Sequence, residues 1–510
     1  MTISLCATIK NMKKITLPLG LLAILVWSLA SCDKKESFTT DSSVKLEFSL
    51  DTLRFDTVFT ELGSATRSFK VFNRNDQAIR ISKARLEGTE GAFFRMNVDG
   101  NPGNSVEEVE VWANDSIYVF VEVTIDPDQP ESVSPFVIED KIIFETNGNT
   151  QEIRLEAWGQ NANYLPSRFN KGVPAIYTCD NEEWVWDDDK PYVIYGEVLI
   201  DSCLLRIPAG THVYVHGGVA QNDLFGIFND GILYFLPNGQ LKVEGTADQP
   251  VIIEGDRLEE PFQEVAGQWY GIILSKGSKG NKIDHAIVKN AAFGIYVDST
   301  AELSVSNSQF YNTTGGGLIG FHSTIDATNC LLYNNNASSL QLILGGSYNF
   351  THCTFASYGV DASAVSMGNS FCYKGTPLSC ELQAINPLKA RFQNCIFFGS
   401  RRDEIDFSDI SGRQDPSLFD VKMDNCLVKV DELLTENMGL YADFFETFCN
   451  NCVNGTRTDE LFIDSDEDDY HLDTMSIAID IGLQLATPTT DLEGNPRDNL
   501  PDAGCFEFQQ

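Results

Sequence analysis

The sequence predicts an all-β protein in which a β-sandwich precedes a parallel β-helix. Two observations carry that expectation. Residues 44–161 hold several short runs of alternating apolar and polar residues, separated by turn residues. From about residue 175 a short pattern recurs with a spacing near 22 residues, with little sign of helical periodicity. At 510 residues the chain exceeds one ordinary core, and 43% hydrophobic with 21% charged residues is usual for folded domains.

The first element is a leader. Met12-Lys13-Lys14 opens a basic region, and residues 15–29 are mostly apolar but short for a membrane span. The stretch ends in Leu29-Ala30-Ser31-Cys32. This resembles a bacterial lipoprotein lipobox, which implies cleavage before Cys32 and a lipid on its thiol. Residues 1–32 are then a signal peptide and 33–43 a polar tether. Their partner is a lipid membrane, and the expected location is the outer membrane or cell surface.

Residues 44–161 follow with runs such as "VKLEFSL", "SFKVFNR", "SIYVFVEVTI", "KIIFETN" and "EIRLEAWG". Their length and spacing suggest a β-sandwich of immunoglobulin-like type. Their order resembles the modules related to major sperm protein and the abnormal-spindle/hydin group, which implies a spacer or binding platform. Residues 162–174 read as a linker.

The repeat region comes next. "IDHAIVKN", "VSNSQFYN", "ATNCLLYN", "FTHCTFAS", "FQNCIFFG" and "MDNCLVKV" align on Ala286, Ser308, Cys330, Cys353, Cys395 and Cys426. The gaps are 22, 22, 23, 42 and 31 residues. Three are single repeats, the fourth reads as nearly two repeats, and the last as one repeat plus a loop. Each repeat is one coil of a solenoid with three short strands and three bends. The Asn or His before the small residue suits a one-residue corner, because Asn tolerates the left-handed conformation. Stacked Asn side chains can also bond from coil to coil. Cys330 and Cys353 fill a slot that also takes Ser and Ala, so they read as free, buried thiols. The eleven cysteines from Cys179 onward leave at least one without an internal disulfide partner. Cys449 and Cys452 form a lone CxxC, weak as a zinc site.

The region 175–458 resembles the right-handed parallel β-helix proteins, the architecture of pectate lyases and many bacterial surface proteins. "CLLRIPAGTHVYVHGG" with "GQLKVEGTADQPVIIEGD" looks like their first coils. "DYHLDTMSIAIDIG" with "TDLEGNPRDNLPDAGCFEF", within 459–510, resembles their terminal segment and is expected to cap the helix. The resemblance implies a fold shared by lyases, hydrolases, epimerases and adhesins, so function rests on the site.

Candidate chemistry is sparse. A net charge of -37 disfavours nucleic acid and repels acidic polysaccharides unless a cation bridges them. His212 and His216 alternate with Val213 and Val215, so both are expected to face solvent, too far apart to share one metal. His285 and His352 occupy corner positions, His322 lies near a bend, and His471 belongs to the terminal motif. Asp464, Asp466 and Asp468 could hold Ca²⁺, although the run lacks an EF-hand pattern. Asp187-Asp188-Asp189 is a second acidic run. A uronate lyase needs a base and a group to neutralise the carboxylate. The sheet containing "FGIYV", "GLIGF", "LQLIL" and "SAVSM" shows neither, with Tyr296, Ile319, Gln341 and Ile343 facing outward. Arg401, Arg402, Asp403 and Glu404, with Asp406, form the richest charged cluster and the first place to seek catalysis. Tyr270, Phe293, Tyr296 and Phe321 could stack on sugar rings, with Gln341 bonding hydroxyls. The expected function is a lipid-anchored surface protein whose β-helix scaffolds or binds glycans. A polysaccharide-active enzyme and a protein-adhesion module are the alternatives.

Overall fold

The computed structural model describes residues 37–59, 64, 66–88, 92–125, 136–166, 174–180, 182–222, 226–259, 261–376, 379–436 and 439–509. The leader, the lipobox and Cys32 lie outside the described residues. The chain divides into two compact units. One is assembled from the segment ending at Arg54, Thr66–Val123 and Glu139–Glu156; the body of the other is Ala157–Gln510.

The first unit is a sandwich of two five-stranded sheets. Antiparallel pairs such as Arg67–Phe72 with Ser116–Ile125 put alternate residues on opposite faces. Phe69 and Val71 are therefore buried, while Lys70 turns outward over the Tyr118 ring. The Phe48 and Phe69 rings of one sheet meet Phe144 of the other at 5.1 and 6.3 Å.

The second unit is a parallel β-helix. Each coil contributes one strand to each of three faces, here termed A, B and C. Ile295–Val297 lies on face A, Glu302–Ser306 on face B and Gln309–Thr313 on face C. Each pairs in parallel with its counterpart one coil on. Leu318–Thr328 and Leu340–Thr351 run through the bend and join faces A and B into one network of 17 strands. Inward residues such as Ile295, Val297, Leu303, Val305 and Phe310 fill the core.

The corners between faces B and C follow the sequence pattern. His285, Asn307, Asn329, His352, Asn394 and Asn425 all have φ between +49° and +54°. Asn451 extends the series at +56°, which makes Cys452 the next rung beyond Cys426. A side chain in this conformation costs about 1 kcal/mol or more, and least for Asn.

The small slot after each corner has its own chemistry. Ser308 Oγ donates to the Ser306 carbonyl two residues back at 2.7 Å. The thiols of Cys330, Cys353, Cys395 and Cys426 make the same bond at 3.3–3.5 Å. All four cysteines are buried and unpaired, and Cys449 and Cys452 are also free. Among the described residues the disulfides are Cys179–Cys203 and Cys372–Cys380.

Two expectations need correction. The 42-residue gap is a single repeat, because Thr354 pairs directly with Ile396 in the next coil. The extra length is an antiparallel hairpin, Ser370–Thr376 with Ser379–Ile385, inserted at the bend between faces A and B. The terminal segment lies along face C, where Leu472, Leu492, Cys505 and Phe506 cover the outward residues Leu331, Tyr333, Ile396 and Phe398. The last coil is instead filled by the rings of Phe407, Phe419, Tyr441, Phe444 and Phe448.

Candidate functional site

Face A carries a continuous row of outward positions. Tyr234 pairs with Ile273, Ile273 with Tyr296, Tyr296 with Ile319, Ile319 with Gln341, Gln341 with Ser366, and Ser366 with Asp406. Tyr296, Ile319 and Gln341 thus occupy the outward row, about 4.8 Å apart from coil to coil. None of these positions is Lys, Arg or His.

Rings cross this face obliquely. Tyr270 meets Phe293 at 5.0 Å, Phe293 meets Tyr296 at 6.1 Å, and Tyr296 meets Phe321 at 6.3 Å. The four rings are half-buried. Ile319, next to Tyr296 in the outward row, is only 8% exposed, and the four rings touch in sequence rather than standing as free side chains. Burial, then Asp298 and neighbouring tyrosines, raise the Tyr296 pKa above its ordinary value, so its hydroxyl stays protonated. Gln341 donates to the Ser338 carbonyl at 3.3 Å, which leaves its amide oxygen to accept.

The bend after these strands is closely packed. Tyr348 is fully buried and its hydroxyl donates to the Gly345 carbonyl at 2.8 Å. That ring fits because Gly320 and Gly346 lack side chains. A Cβ on either would come within 2.7 Å of the Tyr348 ring or hydroxyl.

The charged cluster proves to be part of the framework. Glu404 is fully buried and accepts backbone N–H bonds from Arg401 at 2.7 Å and Ala364 at 2.9 Å. Burial pushes its carboxyl up to about 7, against those bonds and Lys429. Arg401 pairs with Asp361 at 2.9 Å, and Arg402 pairs with Glu432. Asp403 accepts from the Asp431 and Leu433 amides. These residues tie neighbouring coils together, and Glu404 is sealed inside rather than set in a solvated loop. Asp406 alone reaches the outward row of face A.

The acidic run at 464–469 is a hairpin turn. Asp464 accepts from the Asp466 amide at 3.2 Å, and Asp468, at φ +63°, accepts from Asn334 at 2.6 Å. Asp464, Asp466 and Asp468 do not converge, and among the described residues no three His, Cys, Asp or Glu side chains are arranged to hold a metal. Asp188 likewise accepts from the Lys190 amide in a turn.

His212 and His216 point away from the core, as expected, and are half-buried on the outer side. His216 bonds Asp256 at 2.6 Å and stacks on Tyr195 at 4.3 Å. His322 is a corner between faces A and B at φ +48°, in register with Thr300 and Leu344. His471 bonds Asp469 at 2.6 Å and stacks on Phe506.

Two aromatic residues escaped the sequence reading. Phe371 and Tyr373, on the inserted hairpin, extend the ring path, with Phe371 meeting Phe321 at 5.2 Å. Their only sequence signal was alternation within "SFCYKGT", which lies outside the repeat.

No family model and no curated protein matches the chain. Among solved structures, the catalytic unit of a GH87 α-1,3-glucanase from Streptomyces thermodiastaticus aligns over 71% of this chain and 79% of its own, at 9% identity and TM-score 0.21. A GH87 catalytic domain in complex with tetrasaccharides aligns over 71% and 81%, at 9% identity and TM-score 0.19. A family 123 glycoside hydrolase from Clostridium perfringens aligns over 22% of this chain and 26% of its own, at 6% identity and TM-score 0.16. Likenesses this distant carry no conclusion about activity.

Proposed function

We propose that this is a lipid-anchored cell-envelope protein whose β-helix holds a glycan on face A without cleaving it. The observation that carries this reading is the oblique path of half-buried rings from Tyr270 to Phe321. Such faces match the apolar C–H faces of sugar rings, while Gln341 and the Tyr296 hydroxyl offer hydrogen bonds to sugar hydroxyls. Cleavage would need a poised acid and base beside the ligand. Arg401, Arg402, Asp403 and Glu404 are all engaged within the framework. The sandwich, with its proposed immunoglobulin-like kinship, serves as a spacer or binding platform.

The test is a panel of polysaccharides presented to the purified protein, scored by affinity electrophoresis and by release of reducing ends. Retention without release is expected. Tyr296→Ala should weaken retention about tenfold, as loss of roughly 1.4 kcal/mol of stacking implies. Release of fragments would overturn the reading in favour of an enzyme, and an unchanged affinity in Tyr296→Ala would move the site elsewhere.

A further inference from the structure

We infer that the disulfide-stapled hairpin Ser370–Thr376/Ser379–Ile385 is the side wall of the face A site, and that the site takes a neutral glycan held between wall and ring path. The inference rests on the proposed glycan reading and adds a second binding surface and a ligand class.

The hairpin is an insertion that the solenoid does not need. Face A strand Val365–Gly368 and face B strand Leu388–Gln393 pair with their neighbouring coils on either side of it. Its base is nevertheless held firmly. Asn369, fully buried, donates to Asp409 Oδ1 at 2.8 Å and to the Leu418 carbonyl at 3.2 Å, and accepts from the Ile410 amide at 2.9 Å. The Asn386 amide closes the base onto the Asn369 carbonyl at 3.0 Å. Nearer the tip, Cys372–Cys380 joins the two strands. A loop that only crossed solvent would not require both fastenings.

What the hairpin displays is aromatic and turned toward face A. Phe371 sets its ring edge-on to Phe321 at 5.2 Å, and Tyr373 continues from Phe371 at 5.0 Å. Phe371 is 37% exposed and Tyr373 55%. The path Tyr270–Phe293–Tyr296–Phe321–Phe371–Tyr373 is therefore unbroken, and its last two rings rise from the flank. Rings on a floor and on a wall grip a sugar chain from two sides, which a flat ledge cannot do.

Charge selects the ligand. The outward row of face A offers Gln341 and Ser366 as neutral partners, with Asp406 as its only ionisable group besides tyrosine. Asp298 lies at the end of strand Ile295–Val297, where it also opposes ionisation of Tyr296. With no cation in the row and a chain of net charge -37, a uronate or sulfated polymer would be repelled. A neutral glycan meets no such barrier, and its hydroxyls can donate to the carboxylates.

The experiment compares wild type, Tyr373→Ala, the double variant Cys372→Ser/Cys380→Ser, and Tyr296→Ala on neutral β- and α-glucans, a polyuronate and a deacetylated amino-sugar polymer. Tyr373 is exposed, so its removal should leave the thermal midpoint unchanged. Affinity for a neutral glycan should fall five- to twentyfold in Tyr373→Ala and at least threefold in the double variant, and the polyuronate should not bind. Wild-type affinity in Tyr373→Ala, alongside a loss in Tyr296→Ala, would overturn the wall and spare the glycan reading. Tighter binding of the polyuronate or of the cationic polymer than of any neutral glycan would overturn the ligand class. Absence of glycan binding in every arm would overturn both.

Discussion

At the scale of single residues, the corner position decides most. Asn394 shows how much one corner does. Its amide donates to His352 Nε2 and to the Leu483 carbonyl, both at 2.8 Å, while its oxygen accepts from the Leu483 amide. The corner therefore shapes the coil and also docks the terminal segment. The alignment of corner residues was legible in sequence because left-handed backbone restricts residue choice. Their second role was not, since Leu483 is 89 residues away in the chain. His352 fills the same corner with a titratable ring. Burial, and then the neighbouring Arg497 charge, push its pKa down to about 3. An unfolded His binds its proton near pH 6.5. Its contribution is thus fully present above 6.5 and is lost as pH falls toward 3, where the unfolded chain holds the extra proton. His352→Asn, the residue of neighbouring corners, should flatten the loss of stability between pH 6.5 and 4. Urea midpoints at pH 7 and pH 4.5 check this, and equal pH slopes in both proteins would rule it out.

At the scale of elements, the terminal segment earns its motif by clasping face C. In "DLEGNPRDNLPDAGCFEF", Asp491 accepts the Glu493, Asn495 and Glu507 amides. Arg497 pairs with Glu507 at 3.0 Å, with side chains 3% and 7% exposed. Arg497 also donates to Asn329 at 3.1 Å, and the Cys505 amide donates to Thr354 at 3.0 Å. The motif was visible in sequence; its place along the flank was not, because burial of face C is a property of neighbouring coils. Arg497→Ala would leave Glu507 buried without its partner, at a cost of about 3–5 kcal/mol. The expected result is a lower thermal midpoint and protease cleavage between residues 459 and 510 at concentrations that spare the wild type. A wild-type digestion pattern would contradict the clasp. The inserted hairpin makes the converse point. Its 16 residues, from Ser370 to Ile385, mimic most of a repeat in length, so spacing alone read them as a coil.

At the scale of the whole molecule, a long β-helix offers a flat, repetitive face on which distant residues fall into line. Tyr234 and Asp406 share one row of face A although they are far apart in sequence. The outward row around Tyr296 was legible because alternation fixes which side each strand residue faces. Asp406 and the wall of Phe371 and Tyr373 were not, because coil-to-coil register across an insertion is set by backbone pairing. The net charge of -37 opposes self-association. The proposed anchor makes its own prediction: Cys32→Ala should shift the protein from the membrane fraction to the soluble fraction of the producing cell. Membrane association equal to wild type would exclude a lipid on Cys32.

The sequence by itself determined the all-β class, the solenoid period, the corner residues and the outward row around Tyr296. These follow from local backbone preference and from alternation along one strand. The tertiary structure alone decided that Glu404 is sealed inside, where the terminal segment lies, and that a hairpin stands beside the ring path. Each depends on which coil lies next to which, and that is settled by hydrogen bonds between residues remote in the chain.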